Sequence, residues 1–220
     1  MHMTKKSIIL CLVGILLSFV LNAQSVSGTE QIADTLIIQD ALTDGASPSQ
    51  MHLCFKEVPI DGSLDQFTRA LRQKGYRSIN SSNGISYLEG RFAGRENCRV
   101  TVYSESGIVW RVIVTLPGQE TWTSMKKEYK LFKKSYGSKY LVQPKSIELF
   151  PSYLPEGTGR EHNAFRGETA VYQSVFTMAN GSITIAIAPV SDGRGKFCLK
   201  IEYKDDVNSY LKTAAFMNDL

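Results

Sequence analysis

The stretch that decides the fold runs from Val58 to Tyr76 and reads VPIDGSLDQFTRALRQKGY. Asp61-Gly62 predicts a turn, and Ser63 with Gln66 three residues later is typical of a capping box at the start of a helix. Gly75 predicts the end of that helix. The apolar residues between these signals share one helical face: Leu64, Phe67, Ala70 and Leu71. The stretch therefore encodes a strand end, a turn and a capped amphipathic helix.

A similar order of signals returns further along the chain. Val112 to Leu116 predicts a strand, Pro117-Gly118 a turn, and Gly137 the end of a second helix. The apolar positions of that helix follow three- and four-residue steps: Trp122, Met125, Tyr129, Phe132 and Tyr136. The recurrence indicates an internal repeat with units at about residues 51–118 and 119–220.

Strands with turn signals between them follow each helix. The predicted strands are Ile85 to Phe92, Arg99 to Tyr103, Val109 to Leu116, Glu168 to Met178, Ser182 to Pro189 and Lys196 to Tyr203, after a first strand at Met51 to Val58. Asn180-Gly181 is a strong hairpin signal, and Val109 to Leu116 is apolar on both faces, which predicts a central strand. The predicted class is α+β: two tandem β-α-β-β-β units, each a helix with a three-stranded antiparallel sheet, in two layers. Asp206 is expected to cap a closing C-terminal helix, whose apolar stripe is Val207, Tyr210, Leu211 and Ala214.

The segment from Tyr140 to Ala164 carries several prolines and glycines and predicts a long irregular connector. Long loops of this kind often hold binding residues. The connector also contains more apolar side chains than a solvated linker needs. We therefore expect a recognition surface here, beside the exposed sheet face. Its candidate residues are Phe150, Tyr153, Leu154, Arg160 and His162. The alternative is that the apolar residues cover the edge or end of the sheet.

The N-terminus has the pattern of a secretory signal peptide at residues 1–23. Lys5 and Lys6 form its basic end, Ile8 to Leu21 the apolar run, and Ala23 the small residue before cleavage. Residues 24–50 are polar and predict a flexible tether whose Leu36 to Ile38 patch can lend an edge strand. We expect a periplasmic or secreted protein with no permanent membrane span after cleavage, followed by a single domain at residues 51–220.

Composition excludes some functional classes. The formal charge of +4 falls to +2 once Lys5 and Lys6 leave with the signal, so no nucleic-acid partner is indicated. The lysines of the second helix predict a solvated face rather than a membrane-binding face. Three cysteines remain after cleavage, Cys54, Cys98 and Cys198, and their odd number defines no disulfide pairing. We expect these three cysteines to be buried thiols.

No motif defines a catalytic or metal site. His52 and Cys54 lie two residues apart on a predicted strand and hence on one face. They could form a thiolate–imidazole pair or half of a metal site, and the alternative is a strand with a surface histidine. The glycine-rich segments lack the Lys-Ser/Thr ending of a phosphate-binding loop. We therefore expect no cofactor and no metal, and favour a non-enzymatic protein, with a thiol-dependent enzyme using Cys54 as an alternative.

Three features resemble an uncharacterised family of exported proteins from Bacteroides-type bacteria. They are the FKEVPIDG motif from Phe55 to Gly62, the segment Gly90 to Gly94 with Cys98, and the helix from Trp122 to Gly137. The resemblance runs from about Leu53 to the C-terminus, and the family pattern favours glycine where this chain has Glu57. Asp34-Thr35-Leu36 resembles the acceptor of protein O-glycosylation in such bacteria.

The helix-and-strand order is also similar, in topology, to β-lactamase-inhibitor proteins and to small outer-membrane assembly lipoproteins of the SmpA/OmlA kind. A shared topology does not define a function. The sequence leads us to expect an exported binding or interaction module for a protein or other envelope ligand. A structural component of envelope assembly is the alternative from the same setting.

Overall fold

The computed structural model of the chain describes residues 51–190 and 195–210. The predicted signal peptide, the tether with its Leu36 to Ile38 patch, and Thr35 lie outside these residues. So do Leu211 and Ala214 of the predicted closing helix. Residues 206–210 are helical. No helix within the described ranges has the length and hydrophobicity of a membrane span.

The first strands form a small hairpin rather than the continuous strand predicted for Met51 to Val58. β1 is Cys54–Phe55 and β2 is Val58–Pro59, and the two pair antiparallel. Lys56 and Glu57 between them have φ angles of 52° and 65°. Two successive residues with positive φ make a tight hairpin turn.

The first helix confirms its predicted start. Helix α1 spans Leu64–Gln73 and has a complete capping box. The Gln66 backbone N–H donates to Ser63 Oγ at 3.2 Å, and the Ser63 N–H donates to Gln66 Oε1 at 3.2 Å. These bonds satisfy two of the donors that a helix leaves unpaired at its N-terminus. Phe67 and Leu71 are buried beneath the helix.

Eight further strands form one antiparallel sheet. In chain order, the remaining elements are β3 Arg77–Ser82, β4 Ile85–Phe92, β5 Arg95–Glu105, β6 Ile108–Thr115, α2 Trp122–Tyr140, β7 Lys145–Leu149, α3 Glu161–Arg166, β8 Val171–Met178, β9 Gly181–Pro189 and β10 Phe197–Asp205. The strand order across the sheet is β3-β4-β5-β6-β10-β9-β8-β7. The α+β class and the central position of β6 are confirmed.

Each long helix is followed by four strands, not the predicted three. The additional strands, β3 and β7, occupy the two edges of the sheet. Every residue in both strands is exposed. β3 contains one apolar residue, Ile79, and β7 alternates polar and apolar residues over only four positions, so neither strand has a strong signal in the sequence. β7 and the first four residues of α3 lie within the segment that was predicted to be irregular.

The helices pack on one face of the sheet. α1 contacts β3 to β6, whereas α2 contacts β8 to β10. The core lies between the helices and the sheet, and its largest fully buried side chains include Tyr129, Phe55, Phe176 and Met125. None of the described helices covers the opposite face, which we call the helix-free face.

Candidate functional site

The residues that suggested a thiol enzyme lie at a cleft of about 770 Å³. The cleft lies between the β1–β2 hairpin and the C-terminal end of α2, and His52, Cys54, Lys139 and Tyr203 are among its lining residues. Its floor contains a hydrogen bond between the buried hydroxyls of Tyr136 and Tyr203. A cysteine and a histidine at a concave site can act as nucleophile and base. Whether they do so here depends on the position of the Cys54 thiol relative to the His52 ring.

Both ring nitrogens of His52 face carboxylates. Nδ1 lies 3.2 Å from Asp205 Oδ1, and Nε2 lies 3.7 Å from Asp61 Oδ2. The Cys54 thiol contacts the backbone oxygen of His52, at 3.7 Å, rather than its ring. Burial, followed by the Asp205 charge, raises the pKa of the Cys54 thiol. A nucleophilic cysteine needs a lowered thiol pKa and a base directed at its sulfur, and Cys54 has the opposite environment.

His52 belongs instead to a buried polar network around Asp205. The Asp205 carboxylate is fully buried and accepts from the backbone N–H of Leu53 at 2.8 Å and of Asn208 at 2.9 Å. The second of these bonds makes Asp205, and not the predicted Asp206, the cap of the helical residues 206–210. His52 is therefore a buried structural residue rather than a surface histidine on a strand.

Asn208 extends the same network to the segment before α1. Its side-chain amide donates to the backbone oxygens of Ile60 and Val109, each at 3.0 Å, and to Asp61 Oδ1 at 3.1 Å. The network joins the start of the described chain to its end. In residues 51–190 and 195–210, no three His, Cys, Asp or Glu side chains are placed to hold a metal ion.

The prediction of buried thiols holds for two of the three cysteines, whereas Cys54 is only partly buried. Cys98 and Cys198 are buried, and burial raises the pKa of both thiols. No disulfide joins any two of the three cysteines, all of which lie in the described residues. Neither Cys98 nor Cys198 has the environment of a reactive thiol.

The second part of the predicted connector is fixed by Glu156. Its carboxylate accepts hydrogen bonds from the indole of Trp122 and the hydroxyl of Tyr172, both at 2.9 Å, and from the ammonium of Lys126. Burial raises the pKa of Glu156, but these three bonds outweigh burial and hold the pKa below its ordinary value. The connector is therefore attached to both α2 and β8.

The five predicted recognition residues fall into two groups. Phe150 packs edge-on against Trp122 and Phe165, with ring centroids 5.1 and 5.6 Å apart. Leu154 is half-buried against the core, and the His162 ring contacts Phe197 at 5.7 Å. Only Tyr153 and Arg160 are exposed, Tyr153 to 67%. The structure thus brings Phe150, Leu154 and His162 toward the core and leaves the other two in solvent.

A set of exposed aliphatic side chains lies nearby, partly within the predicted connector, although none of them is among the five candidate residues. Ile147 and Leu149 are each 57% exposed, and Val171, opposite Leu149 in the neighbouring strand, is 36% exposed. Ser146, Glu148 and Tyr172 alternate with them and face the helices, as their hydrogen bonds show. Because side chains alternate along a strand, the aliphatic residues lie on the helix-free face. We call Ile147, Leu149 and Val171 the edge patch.

The centre of the helix-free face is more polar. Arg111 on β6 pairs with Glu202 on β10 at 2.8 Å, and its guanidinium lies 5.0 Å from the centre of the Tyr103 ring. The ion pair and the cation–π contact place charged and aromatic side chains over the middle strands. The edge patch is therefore a local apolar feature at one border of the sheet, and only the short alternation in Ser146-Ile147-Glu148-Leu149 could have indicated it.

Comparison of the chain with protein-family models, with curated proteins and with solved structures found no match.

Proposed function

We propose that the protein is a non-enzymatic interaction module whose binding surface is the edge patch on the helix-free face. The observation that supports this is the exposure of three neighbouring large aliphatic side chains on a face without a described helix. Isolated exposed apolar residues are common on soluble proteins, but contiguous ones tend to mark sites of association. Tyr153 follows four residues after Leu149 and is also exposed.

The shape of the surface favours a macromolecular partner over a small molecule. Small-molecule sites are concave and enclose most of their ligand. The edge patch lies instead on the open surface of paired strands, where only a partner that brings a surface of its own can cover it. The thiol-enzyme alternative has less support, since the pKa of the Cys54 thiol is raised and both nitrogens of His52 face carboxylates.

The place of action in this proposal is the cell envelope outside the inner membrane. The basic, apolar and small-residue succession of residues 1–23 supports it. Intact-mass analysis of the protein isolated from native cells tests this part: the expected mature chain begins near Gln24. Retention of Met1 or a lipid adduct contradicts it.

Site-specific photo-crosslinking tests the binding surface. A photoreactive amino acid at position 149 is expected to crosslink a discrete partner in native envelopes, and the same group at Ile79 is not. Ile79 is the matched control because it is 49% exposed on β3, at the opposite edge of the sheet. Equal products from both positions would contradict the proposal. Fractionation of the product with outer-membrane complexes would favour the alternative, a structural role in envelope assembly.

We further propose that the chain consists of two tandem repeats. Two observations support this: each long helix precedes four strands, and the last strand of each set, β6 or β10, meets the other at the centre of the sheet. Leu53 and Asp205 are in contact, so the two ends of the described chain lie close together. A circular permutant opened at residue 119 keeps both units intact and is expected to fold, whereas one opened inside β5 is not.

A further inference from the structure

Among the described residues, no strand pairs with the outer edge of β7. β7 is the last strand of the sheet and pairs only with β8 within the described residues. All five of its residues are exposed. A strand paired on one side leaves alternate backbone N–H and C=O groups directed outward, and protein edges usually blunt this feature with bulges, prolines or charges. β7 carries two charged residues, Lys145 and Glu148, but it contains no bulge or proline, pairs regularly with β8 throughout its length and also exposes Ile147 and Leu149.

A basic groove runs along the other side of the same edge. It lies between the C-terminal half of α2 and β7 and has a volume of about 690 Å³. Its charged lining residues are Lys130, Lys133, Lys134 and Glu148. Lys133 pairs with Glu148 at 2.7 Å, whereas Lys130 and Lys134 make no ion pair with any residue that the structure describes. The groove therefore has an excess of positive charge.

The edge patch on one side of β7 and the lysine groove on the other together define the chemistry of a partner. The side chains of an added strand alternate between the faces of the sheet. One set of its side chains would lie over the lysine groove, and the other set would lie beside the edge patch. We propose that the β7 edge accepts an extended peptide segment in which acidic and apolar residues alternate. This inference depends on the proposed function, because it names the partner class for the same surface.

A second copy of the chain fits this edge less well. Pairing β7 with its symmetry mate across a two-fold axis would place both lysine grooves on the same side of the joined sheet. Lys130 and Lys134 of each copy would then approach the same residues of the other. Like charges brought together across an interface oppose association. An acidic segment removes this repulsion and adds attraction instead.

The first test uses defined peptides and the full mature chain. The probe is a fluorescein-labelled eight-residue peptide of alternating Glu and Val, and binding is measured by fluorescence anisotropy. We expect saturable binding that weakens as salt rises, because exposed charges are screened. A Lys–Val peptide of the same length and a Glu–Val peptide with N-methylated alternate amides are expected not to bind. The second control tests whether binding requires backbone pairing.

The second test changes the groove. Lys130→Glu/Lys134→Glu is expected to weaken binding of the Glu–Val peptide by at least about tenfold, since attraction at two positions becomes repulsion. The control is Arg69→Glu/Lys127→Glu, which makes the same change in net charge at exposed positions outside the groove lining. We expect the control to change affinity by less than about twofold, and neither variant to change the melting temperature.

Several outcomes would overturn the inference. They are no binding of the Glu–Val peptide, equal binding of the Lys–Val or N-methylated peptide, and equal loss in the control variant. A dimer with its interface at β7, or crosslinks from β7 to residues 24–50 of the same chain, would identify another occupant and would also overturn it. If photo-crosslinking at Leu149 still captures a partner while the peptide fails, the proposed function stands and only the partner class is wrong.

Discussion

Two parts of one segment contrast most sharply in this protein: residues 145–149 and residues 150–165. Both carry apolar side chains and, apart from Phe165, both belong to the stretch that is predicted as an irregular connector. In the first part Ile147 and Leu149 are exposed, whereas in the second Phe150 and Phe165 enter an aromatic cluster with Trp122. Apolar content alone therefore does not distinguish a covering loop from a surface available for binding.

The difference comes from what each part is attached to. β7 is held through its backbone to β8, and strand alternation turns Ile147 and Leu149 away from the helices. The later part is held through side chains, since Glu156 accepts hydrogen bonds from Trp122 and Tyr172. Phe150 packs against the aromatic cluster, as the covering alternative expects, and the proposed binding surface lies on the residues before it.

The largest expected effect is in the packed part. Phe165→Ala removes a buried ring that contacts Trp122, Phe150 and Phe197. We expect a loss of about 3–5 kcal/mol of unfolding free energy, the usual result of deleting a buried aromatic ring. For a chain of this size, that corresponds to a fall in melting temperature of roughly 6–20 °C. Thermal unfolding followed by circular dichroism measures it, and a fall of under 2 °C, about 0.5 kcal/mol, would show that the cluster is not part of the core.

Phe150→Ser is expected to have the next largest effect. The ring is only half-buried, so we expect a loss of about 2 kcal/mol, within the range for burying a large apolar side chain. Tyr153→Ser is the matched comparison, because Tyr153 lies three residues away and is 67% exposed. Its expected change is within about 0.5 kcal/mol, as for most surface substitutions. Equal destabilisation by both substitutions would contradict the division between them.

Much of the fold was predictable because its determinants are local. The capping box of Ser63 and Gln66, the Asn180-Gly181 turn and the two-sided apolar character of β6 each act over a few residues. β3 was not predictable, because Arg77 to Ser82 are all exposed and carry no strong pattern. The same holds for the site: Ile147 and Leu149 become informative only when pairing with β8 fixes the face on which they lie.

Glu156→Gln is expected to have a moderate effect. The substitution keeps an acceptor for Trp122 and Tyr172 but removes the charge that attracts Lys126. Hydrogen bonds to charged groups contribute more than neutral ones, yet a partly exposed carboxylate is screened by solvent, so we expect a loss of about 1 kcal/mol at pH 7. Glu120→Gln is the control, because its carboxylate is 79% exposed and pairs only with Lys196 among the described residues.

The pH dependence provides a second test of Glu156. Its pKa is lower in the folded chain than the ordinary value of 4.5, so the carboxylate binds protons more readily when the chain is unfolded. Its contribution to stability is therefore present above pH 4.5 and is lost as the pH falls through the folded-state value. The difference in melting temperature between wild type and Glu156→Gln should shrink below pH 4.5. A constant difference from pH 7 to pH 3, about four units, would contradict the electrostatic explanation.

The smallest expected effect on stability, and the one most informative about function, is in the exposed part. Ile147→Ser/Leu149→Ser removes two apolar side chains that are already 57% exposed, so we expect the unfolding free energy to change by no more than about 1 kcal/mol in total. The physical reason is that water already surrounds more than half of each side chain, which leaves little burial to lose on folding. Because position 149 is substituted in this variant, the photoreactive amino acid is placed at position 171, opposite Leu149 on β8. Capture of a crosslinked partner from this position should fall strongly, because the partner would bury the side chains that remain exposed.

Ile79→Ser completes that experiment, since it removes an exposed isoleucine from the opposite edge strand. We expect it to leave both the melting temperature and the crosslinked product unchanged. If Ile147→Ser/Leu149→Ser lowers the melting temperature as much as Phe150→Ser does, then the apolar residues of β7 pack against the core like the residues that follow them. The contrast between residues 145–149 and residues 150–165 would then disappear. If stability holds and the product is lost only in the β7 variant, the surface before Phe150 binds and the surface after it supports the core.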